Sequence, residues 1–235
     1  MTTEVRFTVR QNESLVLEAI KVNHNWYLIL KRLLDITICI LILPFILVLM
    51  AVIAIAVRID SPGSPIFVQE RIGKDGRRFR MYKFRTMRHD YDPQLDRAFM
   101  QAFVVGQNVI NDQNHNGAYF KPTKNEHVTR LGRVLRKTSL DETPQIINIL
   151  KGEMSLIGPR PNLPWEVEKY QDWHYERLTV LPGITGLAQV RGRSCITFDH
   201  IVRFDIEYIH NLSIKSDLQI LWKTVATVLN GSGAG

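Results

Sequence analysis

Cysteine is scarce in this chain. Cys39 lies inside an apolar run and Cys195 stands alone far downstream, an arrangement that fits neither a zinc site nor a redox pair. A disulfide-framed fold is excluded and a reducing compartment is the default. The seven histidines show no metal-ligand spacing. No glycine-rich turn leads from a strand into a helix, which argues against a nucleotide-binding βαβ unit. Repetitive composition is missing, so collagen-like and coiled-coil classes drop out, and 45% hydrophobic against 23% charged side chains removes a disordered chain. Its 235 residues suffice for one catalytic domain and a small accessory part.

Negative charge is also short, with 23 acids against 30 lysines and arginines and a net charge of +7. Residues 71–88 hold eight cations (Arg71, Lys74, Arg77, Arg78, Arg80, Lys83, Arg85 and Arg88) and one acid, Asp75, a surplus equal to that of the whole chain. Charge so concentrated points to one polyanionic partner: a phosphate ester, an anionic lipid headgroup or nucleic acid.

What the chain does have is one long apolar segment. The 22 residues Ile36 to Val57 carry no charge, and as a helix they reach roughly 33 Å against a hydrocarbon core of about 30 Å. The segment is too long for the core of a secretory signal, so it is expected to stay in the mature protein. Pro44 interrupts it and predicts a kink or break near Leu43. Lys31 and Arg32 precede the run and Arg58 follows it. Basic flanks at both ends favour one cytosolic face for both, as in a re-entrant hairpin, while a Pro-kinked straight span remains the equal alternative.

Upstream, Val5, Phe7 and Val9 alternate with polar residues, as in a short strand that offers a pairing edge for a homodimer. Residues 15–20 look helical and Trp26-Tyr27 suits an interfacial anchor. Downstream, Leu218, Leu221, Trp222, Val225, Val228 and Leu229 recur at helical spacing, an amphipathic helix that packs inward or lies on a membrane. The expected organisation is an accessory segment 1–30, a membrane helix 31–58, a catalytic domain 59–229 and a flexible tail 230–235.

Within the catalytic part, residues 66–71 and 78–85 flank Asp75-Gly76 and predict a hairpin, with Lys83 and Arg85 on one face by alternation. Residues 89–127 are polar and predict a long loop or lid. The Asp90-Tyr91-Asp92 triplet within it is expected by chance about 0.6 times in such a composition and carries little weight. Arg130, Arg133, Arg136 and Lys137 fall on one side of a helix. Asp141 and Glu142 follow at a helix N-terminus, with either Ser139 and Glu142 as a capping box or Thr143 as the cap before Pro144. Acids there complement a helix dipole, but beside so many cations they also suit a phosphate substrate attacked by a carboxylate. Gly158-Pro159-Arg160-Pro161 fixes an arginine between two prolines, and Pro182-Gly183-Ile184-Thr185-Gly186 is a tight turn. Asp205 and Asp217 are candidates for metal coordination, with helix capping as the alternative for Asp217.

Four segments in this order carry a resemblance: Lys31-Arg32-Leu33-Leu34-Asp35 before the Pro-interrupted run, Tyr82-Lys83-Phe84-Arg85-Thr86-Met87, residues 136–145, and Ser155-Leu156-Ile157-Gly158-Pro159-Arg160-Pro161. Over about residues 31–229 the chain resembles the bacterial sugar transferases, monotopic phosphoglycosyl transferases that load a sugar 1-phosphate onto polyprenyl (undecaprenyl) phosphate. The resemblance implies an α+β, helix-rich fold with a Pro-broken re-entrant helix and a cytosolic catalytic domain at the bacterial inner membrane. It implies Asp141 as nucleophile and Glu142 as its support. Lys83, Arg85, Arg136 and Arg160 would hold phosphate and nucleotide, with Mg²⁺ near Asp141, Glu142 and Asp217 and Pro44 at the membrane break. The implied partners are a UDP-sugar, polyprenyl phosphate and membrane lipids, not nucleic acid; UMP leaves and an aspartyl-phosphosugar forms. Leu43-Pro44 departs from the family's usual Ser-Pro pair. The long 89–127 segment is similar to that of larger, polysaccharide-initiating members.

Two readings from other classes compete with this one. A metal-dependent glycosyltransferase would use Asp90 and Asp92 and release UDP rather than UMP. A non-enzymatic surface protein would bind through residues 71–88 and have no need of Asp141.

Overall fold

The computed structural model describes residues 25–88, 94–106, 127–192 and 196–229. The N-terminal strand and helix expected over 5–20, the Asp90–Asp92 triplet, Cys195 and the 230–235 tail lie outside the described residues.

The apolar run becomes part of α1 (Asn25–Asp60), a helix of 36 residues, or about 54 Å at 1.5 Å per residue. It is the one described helix long and apolar enough to cross a membrane. The break expected at Leu43-Pro44 does not end it, because Pro44 lies inside the helix. The physical reason is tertiary. Tyr27, Lys31, Asp35, Cys39, Leu43, Ile46, Met50, Ile53 and Val57 recur every three or four residues and form one stripe against the rest of the domain. Pro44 itself is exposed on the opposite side. Packing on both sides of the proline thus holds the chain helical where local propensity would break it. The outer face leaves Leu41, Phe45, Val48, Val52 and Ile55 exposed.

The basic window forms the expected hairpin. Strands β1 (Ile66–Ile72) and β2 (Arg78–Phe84) pair antiparallel, with Phe67 opposite Lys83 and Arg71 opposite Phe79. Asp75 and Gly76 turn the chain with φ of 56° and 73°, the left-handed region that aspartate tolerates and glycine adopts freely. Phe79 and Met81 reach the core beside Cys39 of α1, and Phe84 joins Ile53 and Val57.

The segment read as a loop over 89–127 contains a helix, α2 (Gln94–Val104). Val104 is buried against Phe198 and Val202, with Phe103 beside them, so apolar residues in a polar stretch found a partner that the local pattern did not show. The two ends of the excursion meet: the Arg88 amide donates to the His127 carbonyl at 2.9 Å, and Met87 bridges Val128.

Beyond it come α3 (Arg130–Lys137), a 3-10 helix over Leu140–Gln145, α4 (Ile146–Lys151) and β3 (Ser155–Ile157). Then follow α5 (Pro164–Val167), a 3-10 helix over Asp172–Thr179, β4 (Gly183–Thr185), α6 (Leu187–Arg191), α7 (Phe198–His210) and α8 (Ile214–Leu229). Strands β3 and β4 pair in parallel. Their continuation is a backbone-to-backbone contact: the Gly158 amide donates to the Thr185 carbonyl and the Gly183 amide to the Pro159 carbonyl, each at 2.9 Å. A Cβ on Gly183 would lie 2.1 Å from the Gly158 nitrogen, and one on Gly186 2.2 Å from the Gly158 oxygen. Only glycine permits this approach.

Gly183→Ala is therefore expected to lower stability by about 1–3 kcal/mol, the range of overpacking in a rigid contact. A thermal melt of the purified protein that leaves Tm unchanged would refute the closeness of the two turns.

Candidate active site

Three pieces of chain converge on Asp141 and Glu142. The hairpin supplies Arg71 and Lys83, which share one face because Arg71 lies opposite Phe79 and Lys83 stands four residues beyond Phe79 in the same strand. Helix α3 supplies Arg136. Thr129 caps this helix by accepting the Gly132 amide at 2.9 Å, and the Thr129 amide donates to the Thr86 carbonyl at 3.0 Å. A Cβ on Gly132 would sit 2.2 Å from that carbonyl oxygen, so the glycine lets α3 lie directly on the end of β2. Arg136 then donates from Nε to Thr86 Oγ1 at 2.9 Å, which leaves the rest of its fork free to turn toward the acids. The two glycine turns supply the third piece, Arg160.

The chain reaches the acids through Ser139, whose φ of 56° is left-handed. That conformation reverses the path between α3 and the 3-10 helix and places Asp141 and Glu142 in its first turn. Neither expected cap forms. Ser139 makes no side-chain cap, and Thr143 donates back to the Leu140 carbonyl at 2.8 Å. A 3-10 helix already occupies the residues that a capped α-helix would have begun.

The two acids differ. Glu142 Oε1 accepts from Arg160 Nη2 at 2.9 Å. Asp141, partly buried, makes no hydrogen bond or ion pair among the described residues, yet Lys83, Arg136 and Arg160 all act on its charge. Burial, and then repulsion from Glu142, push its carboxyl up to about 6, against the pull of those three cations. Lys83 shifts the opposite way, down to about 8, through burial and then the neighbouring Arg71 and Arg160 charges, with Asp141 opposing. Burial lowers Arg71 to about 10. Glu142 holds Arg160 above its ordinary value. Four cations meet three carboxylates, Asp141, Glu142 and the buried Glu166 that acts on Arg71 and Arg160, so the site keeps a positive surplus that a phosphate would neutralise.

Of the residues singled out from the sequence, Asp141, Glu142, Lys83, Arg136 and Arg160 come together. Arg85 does not join them. Its guanidinium donates to the Ser61 and Pro62 carbonyls at 2.6 and 2.7 Å and to Ser61 Oγ at 2.9 Å, fastening the turn that follows α1. The reason is that β2 ends at Phe84, so the alternation that would align Arg85 with Lys83 no longer holds. Asp217 also lies elsewhere. It accepts from Tyr27 and Tyr208 at 2.8 Å each and from Lys31 at 2.9 Å, tying α8 to the start of α1. It does not cap α8, because Ser213 Oγ accepts the Ser216 amide there. Among the described residues no three His, Cys, Asp or Glu side chains gather as a metal site, so Asp217 is not grouped with Asp141 and Glu142. Asp205 is paired with Arg177 in the core. The residue overlooked is Arg71, and the register of the hairpin set by Asp75-Gly76 would have revealed it.

A family model described as bacterial sugar transferase matches residues 26–231. The chain belongs to this family. It is 40% identical over 98% of its length to the galactosyl transferase CpsE of Streptococcus agalactiae, covering 49% of that protein. It is 38% identical over 87% of its length to the undecaprenyl-phosphate galactose phosphotransferase of Salmonella typhimurium, covering 41%. It is also 37% identical to the exopolysaccharide production protein ExoY of Rhizobium meliloti, over 81% of this chain and 80% of that one. The chain thus spans about half the length of the first two relatives and most of the third.

In this member of the family the Asp141 carboxylate is held against its own preference. Because its pKa is raised in the folded state, the fold binds a proton that the unfolded chain has already lost between about pH 4 and 6. The cost to stability is absent at lower pH and complete above that window. Asp141→Asn is expected to raise stability by roughly 1–3 kcal/mol at pH 7.5 and to change it little at pH 4. Melting curves at the two pH values check this; an equal shift at both would remove the strained charge.

Proposed function

We propose that the chain is a phosphoglycosyl transferase that moves a sugar 1-phosphate from a UDP-sugar to polyprenyl phosphate. The observation that carries this reading is the Asp141 carboxylate, unpaired among the described residues, with the charges of Lys83, Arg136 and Arg160 acting on it. A carboxylate kept free of hydrogen bonds retains its lone pairs for attack, and the cations provide seats for the oxygens of a diphosphate. The names of the relatives in Salmonella typhimurium and Streptococcus agalactiae agree with transfer of a sugar group.

In the first step an Asp141 oxygen bonds to the phosphorus bearing the sugar, and the bond from that phosphorus to the bridging oxygen breaks. UMP leaves with the bridging oxygen. Arg136, Arg160 and Lys83 hold the charge that develops on the phosphoryl oxygens. In the second step an oxygen of polyprenyl phosphate bonds to the same phosphorus and the bond to Asp141 breaks. The product is a polyprenyl-diphospho-sugar, the sugar keeps its C1–O bond, and Asp141 returns as a carboxylate. Glu142, paired with Arg160, orients that arginine. Mg²⁺ commonly takes one or two carboxylates together with substrate phosphates, so the adjacent Asp141 and Glu142 fit it without Asp217. When bound there, the ion would neutralise diphosphate charge.

The membrane arrangement follows from α1. Its first turns contact Asp217 and Ser155, and its last turns contact Phe84 and Leu135, all in one domain. Two ends on one body favour a monotopic seating with both flanks on the cytosolic face, rather than a span with ends on opposite sides, and α1, continuous through Pro44, makes no hairpin of its own. Leu218, Trp222 and Val225 on α8 are exposed, and with Lys215 and Lys223 they suit the lipid interface. The site then meets a soluble donor and a lipid acceptor at one surface, where bacterial glycoconjugate or exopolysaccharide synthesis begins.

Incubated with a panel of labelled UDP-sugars but no acceptor, the protein should trap label and release a stoichiometric burst of UMP. Asp141→Asn should abolish trapping, whereas Glu142→Gln should slow it. A ternary-complex rate law with no trapped label would remove Asp141 as nucleophile, and release of UDP would favour direct glycosyl transfer.

The pH dependence should be bell-shaped in kcat/KM. An acid limb near 6 reflects protonation of the Asp141–Glu142 pair, and an alkaline limb near 8 reflects loss of the Lys83 proton. Lys83→Arg should carry the alkaline limb upward, because arginine keeps its charge. A limb that stays in place would assign it to another group.

A further inference from the structure

Arg160 stands between two prolines, neither of which has an amide hydrogen, so its loop can be anchored mainly through carbonyls. Three consecutive carbonyls are held from outside. Pro159 accepts the Gly183 amide at 2.9 Å, Arg160 accepts from Arg177 Nη2 at 3.2 Å, and Pro161 accepts from Arg71 Nη1 at 3.0 Å. Arg71 belongs to the cationic site itself. Arg177 does not: it lies in the core, 3% exposed.

The Arg177 guanidinium is fully engaged there. It pairs with the buried Asp205 of α7, donates from Nη1 to Tyr170 Oη at 3.1 Å, and lies over the Phe198 ring at 5.7 Å from its centroid. A buried ion pair of this kind adds little net stability, because desolvation offsets its attraction and an apolar filling would serve the core as well. What the planar fork adds is direction: one rigid group reaches a carboxylate, a hydroxyl and the Arg160 carbonyl at fixed angles.

We propose that Arg177 is a positioning residue for Arg160, fixing the main chain from which Arg160 reaches Glu142 and the phosphates of the nucleotide. Phe198 also meets Phe103 of α2 edge-on at 6.1 Å, so the ring beneath Arg177 is packed in turn by α2.

The inference rests on the reading of the site as a UDP-sugar site, and the test separates the two. UDP binding to the full chain in lipid nanodiscs is measured by calorimetry for the native protein, Arg177→Lys, Arg160→Ala and the double variant. Lysine keeps the charge toward Asp205 but cannot make the parallel bonds. Arg177→Lys is expected to weaken UDP binding about 10-fold, the scale of a hydrogen bond involving a charged group. In the Arg160→Ala background the same change should cost nothing further, which a merely structural role would not produce. Tyr170→Phe removes a single hydroxyl anchor without changing packing volume. It should show the same cancellation at about 2–5-fold and carries the cycle if Arg177→Lys does not fold. Equal losses in both backgrounds, or native affinity in the Arg177 and Tyr170 variants, would overturn the positioning role alone. No UDP binding by the native chain would overturn the reading of the site and this inference with it.

Discussion

The elements that carry the candidate site rest on one long contact, the stripe of α1 residues from Tyr27 to Val57 that lies against the domain. An apolar helix of 36 residues has no stable place in water. One stripe of it is covered by protein, and the remaining faces keep large aliphatic side chains exposed. The protein half touches the hairpin, α3, α4 and β3 in turn. Asp35 adds a polar fastening near its start, accepting from Ser155 Oγ at 2.7 Å and from the Leu156 amide at 3.3 Å. The elements that carry Lys83, Arg136 and Arg160 are thus aligned along a common support, and their mutual spacing follows from where each one rests on it.

On that support the site is electrically unbalanced. Burial pushes Asp141 up while it pushes Lys83 and Arg71 down, so the charged form of each group costs more than it would in water. A phosphate ligand would relieve the imbalance, since its oxygens offer the cations partners that the carboxylates do not fully supply. Crowding like charges costs stability in the free protein, and the rigid parts around the site make that cost sustainable. The glycine contact between β3 and β4, the left-handed Ser139 and the tight seat of α3 on Thr86 all restrict the backbone rather than the side chains.

Asp217 illustrates how one acid can matter to a site without joining it. Its carboxylate gathers Tyr27, Lys31 and Tyr208, and the Tyr208 hydroxyl also contacts the Ile157 carbonyl at 3.3 Å. That carbonyl belongs to β3, just ahead of the Gly158 turn. Asp217 therefore acts on the seating of α1 and of the strand leading to Arg160.

Much was legible from the chain because it is encoded locally. The apolar run and its basic flanks, the hairpin around Asp75-Gly76, the arginine-bearing helix and the adjacent Asp141-Glu142 pair all follow from periodicity, turn chemistry and covalent neighbourhood. The order of the motifs carried the family resemblance as well. The register implied by Asp75-Gly76 places Arg71 with Lys83, whereas tertiary structure alone decided that Arg85 leaves them, because the strand ends one residue before the alternation would have aligned it. It alone kept α1 helical through Pro44, since the packing that overrides proline comes from residues far along the chain. The partners of Asp217 and of Val104 in α2 were decided the same way, by distances between segments that no local pattern records.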